Sequence, residues 1–195
     1  MRTVWGYDVE SIEPILSADD FVELTNGLFE NNPNAEAAVL AASQAVRNYC
    51  GWHISPSVEC TAHPVGGSKV AKLPAGYVSE IDSITVDGTV LDSTAYEWRS
   101  DGLIRRKDRH KWTNTWDGIE VVYTAGYSAD AIPDLVEAVC SVASGVLSVS
   151  PGVTNESADG VSISYSANAS SIAAALTSQQ KSALEPYRLV SSHAA

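Results

Sequence analysis

Two cysteines and two histidines fall within fourteen residues, as Cys50-x-x-His53 followed by Cys60-x-x-His63. Thiolate sulfur and imidazole nitrogen are the usual protein ligands of zinc, and four of them converging would close a tetrahedral site. The spacing is that of neither a standard finger nor a knuckle. Cys50 falls at the end of a helical pattern and Cys60 within a strand pattern, so all four side chains would have to turn toward one point. Cys50 in the core with the other three scattered is the simpler expectation, and no metal or other cofactor is assigned.

Other chemistry is weaker still. Gly66-Gly67-Ser68-Lys69 has the composition of a phosphate loop but the wrong order, since Gly-Lys-Ser/Thr must follow four intervening residues. No long helix pattern follows to offer its N-terminus to a phosphate. A Gly-x-Ser-x-Gly elbow is absent, and His53, His63, His110 and His193 have no nucleophile at a recognisable spacing. Asp82, Asp87, Asp92 and Asp101 fall mostly at turns, where aspartate serves backbone geometry. No residue is nominated as catalytic, and the chain is not expected to be an enzyme.

The elements that would position these residues read as helix, helix, strands, helix. Ser17-Ala18-Asp19-Asp20 is a capping signal, with Leu16 and Phe21 placed as a hydrophobic staple. The first helix is predicted over 17–28, with Phe21, Leu24 and Leu28 on one face. Asn32 as cap and Pro33 in the first turn open a second, alanine-rich helix over 34–50. Its stripe is Val39, Ala42, Val46 and Tyr49. Strand signals fill 55–127, including Asp87-Gly88 between Ile81–Val86 and Thr89–Leu91, a strong hairpin signature. Their spacing suggests a small antiparallel sheet or open barrel, with Trp98, Trp112 and Trp116 packed into it. Pro133 opens a third helix over 133–149, striped by Leu135, Val139, Val142, Val146 and Val149. Residues 150–176 are rich in Ser, Ala, Asn and Gly, and only Val161–Tyr165 alternates as a strand should. Thr177-Ser178-Gln179-Gln180 is a capping box for a short last helix, which Pro186 limits. The expected class is α+β: a helical frame of about four helices, an inserted small antiparallel sheet or open barrel, and a C-terminal arm. The corresponding division is a core over 1–166 and an arm over 167–195.

Composition bounds the partners. With 195 residues the chain is long enough for one real core, and 45% apolar against 18% charged residues is a globular balance. A net charge of −12 and a pI near 4.6 disfavour a nucleic-acid grip. The one basic cluster, Arg105-Arg106-Lys107-Asp108-Arg109-His110-Lys111, reads as a solvated hairpin tip or as a contact for an acidic neighbour. No apolar run approaches the ~20 residues of a membrane span, and the first residues lack the apolar stretch of a signal peptide. A soluble product, cytoplasmic when made, is expected. Three cysteines, an odd number, suit reduced thiols.

Three strings in this order carry a family resemblance. Ala41-Ala42-Ser43-Gln44-Ala45-Val46-Arg47-Asn48-Tyr49-Cys50-Gly51-Trp52-His53-Ile54 resembles the second helix and following turn of tailed-bacteriophage head–tail connector proteins. Leu73-Pro74-Ala75-Gly76-Tyr77-Val78 with Ile84-Thr85-Val86-Asp87-Gly88 resembles their first strands. Val121-Val122-Tyr123-Thr124-Ala125-Gly126-Tyr127 with Pro133-Asp134-Leu135 resembles the last strand and the helix after it. The resemblance spans roughly residues 17 to 190.

It implies a structural virion protein, a head-to-tail adaptor at the neck. About twelve copies would form a ring beneath the portal protein, extend the DNA channel and offer a platform to the stopper or tail protein. The viral double-stranded DNA would pass through the lumen without sequence readout. In this family the C-terminal segment reaches toward the portal, which maps onto 167–195, with Leu184, Tyr187, Arg188 and Leu189 as contacts. For subunit–subunit packing the stripes offer Val39, Ala42, Val46, Leu135, Val139 and Val142, although packing inside one subunit is the simpler reading of both. The alternatives are another neck component, a stopper or tail-completion protein, or a small zinc- or ligand-binding module. The first two tend to be mostly β barrels, which the helical frame argues against.

Overall fold

A computed structural model describes residues 1–148, 155–158, 161–164 and 176–189. The chain divides into two compact units. One comprises Met1–Glu13, Cys50–Ala131 and the C-terminal residues from Tyr187; the other comprises Pro14–Tyr49 and Ile132–Pro186.

The helices come where local chemistry starts them. Helix α1, Ala18–Leu24, is capped by Ser17, whose hydroxyl accepts from the Asp20 N–H, and Asp19 and Asp20 lie at its positive end. Leu16 and Phe21 are both buried. The helix is shorter than its apolar spacing predicts. The Thr25 hydroxyl donates back to the carbonyls of Phe21 and Val22, and Asn26 and Gly27 turn left-handed at φ of 51° and 77°. Leu28 therefore falls beyond the helix and is 75% exposed; Leu24, its last residue, is 53% exposed, so neither shares the buried face of Phe21. Helix α2, Ala35–Cys50, begins just after Pro33, with the Asn32 side chain accepting from the Asn34 N–H. Helix α3, Pro133–Ser148, starts at the expected proline. The last helix, α4, Ser178–Leu184, has both halves of its capping box: Thr177 accepts from the Gln180 N–H, and the Gln180 side chain from the Thr177 N–H. It packs on α3, where the Gln180 amide reaches the Ser141 hydroxyl at 3.3 Å.

The strand unit holds two antiparallel sheets, and neither closes into a barrel. The larger runs β1 (Tyr7–Val9), β2 (Val58–Ala62), β8 (Ile119–Ala125), β4 (Val78–Val86) and β5 (Thr89–Val90). The smaller runs β3 (Val70–Lys72), β7 (Leu103–Arg106) and β6 (Tyr96–Trp98). Strand β8 is central, and Ile119, Val121, Tyr123 and Ala125 alternate inward along it. Asp87 and Gly88, at φ of 48° and 80°, form the two-residue turn that sets Val86 opposite Thr89. Strand β1, absent from the sequence reading, pairs with β2 through Val9 and Cys60.

Three further expectations meet the structure here. Trp112 is buried, but Trp98 is 37% and Trp116 95% exposed, so these two do not seal the sheet. The strand expected at 161–165 is β10, Val161–Ser164, paired antiparallel with β9, Asn155–Ala158. The remainder of the Ser/Ala stretch, 149–154, 159–160 and 165–175, and the last residues, 190–195, lie outside the described residues. No described helix is long and apolar enough to cross a membrane.

Candidate functional site

The strand unit contains an aromatic and glycine knot around Trp52 and His53, at the end of α2. Both side chains are fully buried. Gly51, at φ +80°, stops the helix, and Ile54 follows at φ 64°, a left-handed conformation that a β-branched residue adopts only under constraint. The constraint is visible in its partners. The Ile54 carbonyl accepts from the Tyr127 N–H at 2.7 Å. His53 is held at both ring nitrogens, Nδ1 at 2.7 Å from the Tyr7 hydroxyl and Nε2 at 3.0 Å from the Ala125 carbonyl. The same Tyr7 hydroxyl accepts from the His53 backbone N–H at 3.1 Å. With the Tyr7 proton given to Nδ1, the pattern fits the tautomer that carries its proton on Nε2.

Two glycines let backbone approach this pair. A Cβ on Gly126 would stand 2.4 Å from the Pro56 carbonyl oxygen and 2.8 Å from His53 Nε2. A Cβ on Gly76 would stand 2.9 Å from the Trp52 ring. The Gly126 N–H donates to the Tyr77 carbonyl, and the Tyr77 and Tyr127 rings stack with centroids 4.5 Å apart. The three strings that carry the family resemblance thus meet at one place.

The knot also holds the C-terminal segment. The Trp52 indole N–H donates to the Tyr187 carbonyl at 2.7 Å, and Tyr187 packs edge-on to Tyr127 at 6.0 Å. The Leu189 N–H donates to the Cys50 carbonyl at 2.7 Å. That bond satisfies one of the carbonyls that a helix end leaves open.

Chemically the knot is a packing device. Cys60 lies beside it on β2, and burial pushes its thiol up to about 12. Burial also raises the phenol of Tyr123 well above its ordinary range and that of Tyr127 above its own. Thiol and phenols are therefore held in their protonated, unreactive forms.

The structure does not gather the candidate zinc ligands. His53 is engaged at both ring nitrogens, Cys50 and Cys60 are buried, and half-buried His63 faces Glu120 at 4.0 Å. Among the described residues no three His, Cys, Asp or Glu side chains come together as a metal site. Val39, Ala42, Val46, Leu135, Val139 and Val142 are all buried inside the chain, so these stripes form its own core and not a surface between subunits. Leu184 is likewise fully buried in the helical unit, which removes it as a surface anchor. Of the four C-terminal candidates, Tyr187 and Leu189 are half-buried in the knot and Arg188 is exposed. The knot itself was missed, though glycines flanked by aromatic residues, at Gly51, Gly76 and Gly126, were its available signal.

Comparison with known proteins matches this chain to one family and to one kind of assembly. The model of the head completion protein family matches residues 15–143, from just before α1 into α3. Two solved structures share the fold. One is the neck of an empty GTA particle computed with C6 symmetry, with a TM-score of 0.61 and 16% identity over 94% of this chain and 95% of that one. The other is the neck of a native GTA particle computed with C12 symmetry, with a TM-score of 0.61 and 15% identity over the same shares. No curated protein matches the chain in sequence.

Proposed function

The chain belongs to the head completion protein family, whose place is the head–tail neck, and we propose that it is the ring-forming adaptor there. About twelve copies stand beneath the portal protein, extend the DNA channel and present a platform to a stopper or tail protein. Each copy is made in the host cytoplasm before it joins the head. The role is structural, and no reaction is assigned to any residue.

The observation that carries this reading is the family match over residues 15–143, which takes in both packed helices and every strand from β2 to β8. The symmetric necks whose fold it shares lend support to a ring. Its charge is suitable too: copies of a −12 chain around a channel repel the DNA that must slide through. The portal contact is assigned to the C-terminal segment, with Tyr187, Arg188 and Leu189 presented by the knot at Trp52. Of these, Arg188 is the exposed one, and arginine is favoured at interface anchors.

Negative-stain images of the purified protein, alone and mixed with portal, test the proposal. Rings stacked coaxially on the portal are expected. A protein that stays monomeric in both preparations would overturn it.

A further inference from the structure

We infer that neighbouring copies dock through two unlike faces: a basic, aromatic face on the three-stranded sheet and an acidic, leucine-bearing face around α1. This rests on the ring reading above and says which surfaces make the ring.

Charge is distributed very unevenly along this chain. Six of its twelve Lys and Arg, namely Arg99, Arg105, Arg106, Lys107, Arg109 and Lys111, fall within thirteen residues, with only Asp101 and Asp108 as acids among them. Between Arg2 and Arg47 there is no Lys or Arg at all, and eight acids. The first cluster follows the smaller sheet, whose face carries a groove of about 400 Å³ lined by Val70, Trp98, Leu103 and Ile104 with Arg99 and Arg105. Arg105 pairs with Glu97 and Arg99 with Asp101, whereas Lys107, Arg109 and Lys111 stand exposed with no ion pair among the described residues.

The second face has the opposite character. Leu24, the last residue of α1, and Leu28 beyond it are 53% and 75% exposed, and the carboxylates of Glu23 and Glu30 on either side of them in sequence are exposed as well. An apolar knob flanked by carboxylates thus matches an apolar groove flanked by cations. The match is in charge and in apolar character, and complementary charge helps to fix an interface's register. The faces are different patches, so the contact is heterologous and propagates from copy to copy until it closes. DNA fits the basic face less well. Trp98, Val70 and Leu103 make an apolar floor that offers nothing to phosphate, and the rest of the chain repels it.

Charge reversal tests this in the condition where wild type forms rings. Lys107→Glu/Lys111→Glu reverses one face and Glu23→Lys/Glu30→Lys the other; none of these four side chains caps a helix or fills the core. Each double variant is expected to raise the concentration for half-assembly at least about tenfold, read by mass photometry, with circular dichroism unchanged. A one-to-one mixture of the two restores assembly to within about threefold of wild type, because each reversed face then meets its complement on the other variant. A basic-face variant that assembles as wild type does would overturn the inference, as would a mixture that stays apart. Loss of duplex-DNA binding with rings intact would give the basic face to DNA instead. Wild type that forms no ring, alone or with portal, defeats the ring reading itself, a different outcome from failure of these faces.

Discussion

Replacing Gly126 by alanine should be among the most damaging one-carbon changes this chain can suffer. Two costs add. The first is conformational: Gly126 has φ +107°, outside even the left-handed well, and holding an L-residue there costs about 1–3 kcal/mol. The second is steric. The new Cβ would lie 2.4 Å from the Pro56 carbonyl oxygen and 2.8 Å from His53 Nε2. Pro56 contributes backbone, not the far end of a flexible side chain, so relief requires the segments to part. Overpacking of this kind costs about 1–3 kcal/mol. Moving His53 also endangers its bond to the Ala125 carbonyl, worth about 1 kcal/mol. The conformational and steric costs alone come to about 4 kcal/mol, a large part of the about 5–15 kcal/mol that holds a domain folded.

Gly88→Ala is the control. Gly88 is also left-handed, at φ +80°, but a Cβ there meets nothing within 4 Å. It should lose only the conformational term, about 1 kcal/mol. For a chain of this length about 2–4 °C is lost per kcal/mol, so the midpoints should fall by about 8–16 °C and about 2–4 °C. Urea unfolding followed by tryptophan fluorescence measures both, and an unchanged slope confirms that stability alone has moved. Equal losses for the two variants would refute the reasoning, because the close approach to Pro56 and His53 would then contribute nothing.

Two further predictions concern one contact of the knot and one ion pair at the end of β7. Trp52→Phe keeps an aromatic ring in the knot but removes the donor to the Tyr187 carbonyl. A loss of about 1 kcal/mol should speed amide exchange at Leu189 about fivefold while β7 amides keep their rates; an unchanged Leu189 rate would show that the indole does not hold the segment. Asp108 is held down to about 2, chiefly by the Arg106 guanidinium and then by the His110 N–H. Its folded value lies below the ordinary 3.8, so whatever it adds to stability is present above that pH and is lost as pH falls through about 2. Arg106→Ala should return its titration, read by NMR at the carboxyl carbon, most of the way to 3.8. A midpoint that stays near 2 would give the effect to the His110 N–H.

What the sequence made legible was the chemistry of neighbours. Ser17 and Asp20, Thr177 and Gln180, Asp87 and Gly88, and Pro133 each act within four residues, and each element begins or turns where they say. The misreadings came where spacing stood in for geometry. Leu28 keeps helical spacing from Phe21 and Leu24, but spacing is blind to the left-handed pair Asn26 and Gly27 that ends the helix before Leu28 is reached. Trp98 and Trp116 were assigned to the core for their size, yet one sits on an outer strand of a three-stranded sheet and the other in the loop before β8. Strand β1 has three residues and no periodicity of its own; only its partner β2 makes it a strand. The knot joins residues far apart in the chain, from Tyr7 through His53 and Gly76 to Gly126 and Leu189, and no local window contains it.

That distribution bears on what a family resemblance can reveal. The strings around His53, Gly76 and Gly126 are distinctive because backbone passes within contact distance of buried rings there, which few residue types tolerate. They specify how one subunit holds itself together and where its C-terminal segment is tied, but none of their buried residues can touch a neighbour. The stripes at Val39 and Leu135 are spent in the same way. On the proposed reading the surface for partners lies in residues left exposed: the cations after β7, the exposed leucines and carboxylates around α1, and Arg188. Apart from Arg109, at φ 61°, none of those positions has a left-handed backbone. Folding and the proposed assembly thus rest on separate residues. A change in the knot should lower stability before it alters assembly, and a charge reversal on either face should abolish assembly in a subunit that melts as before.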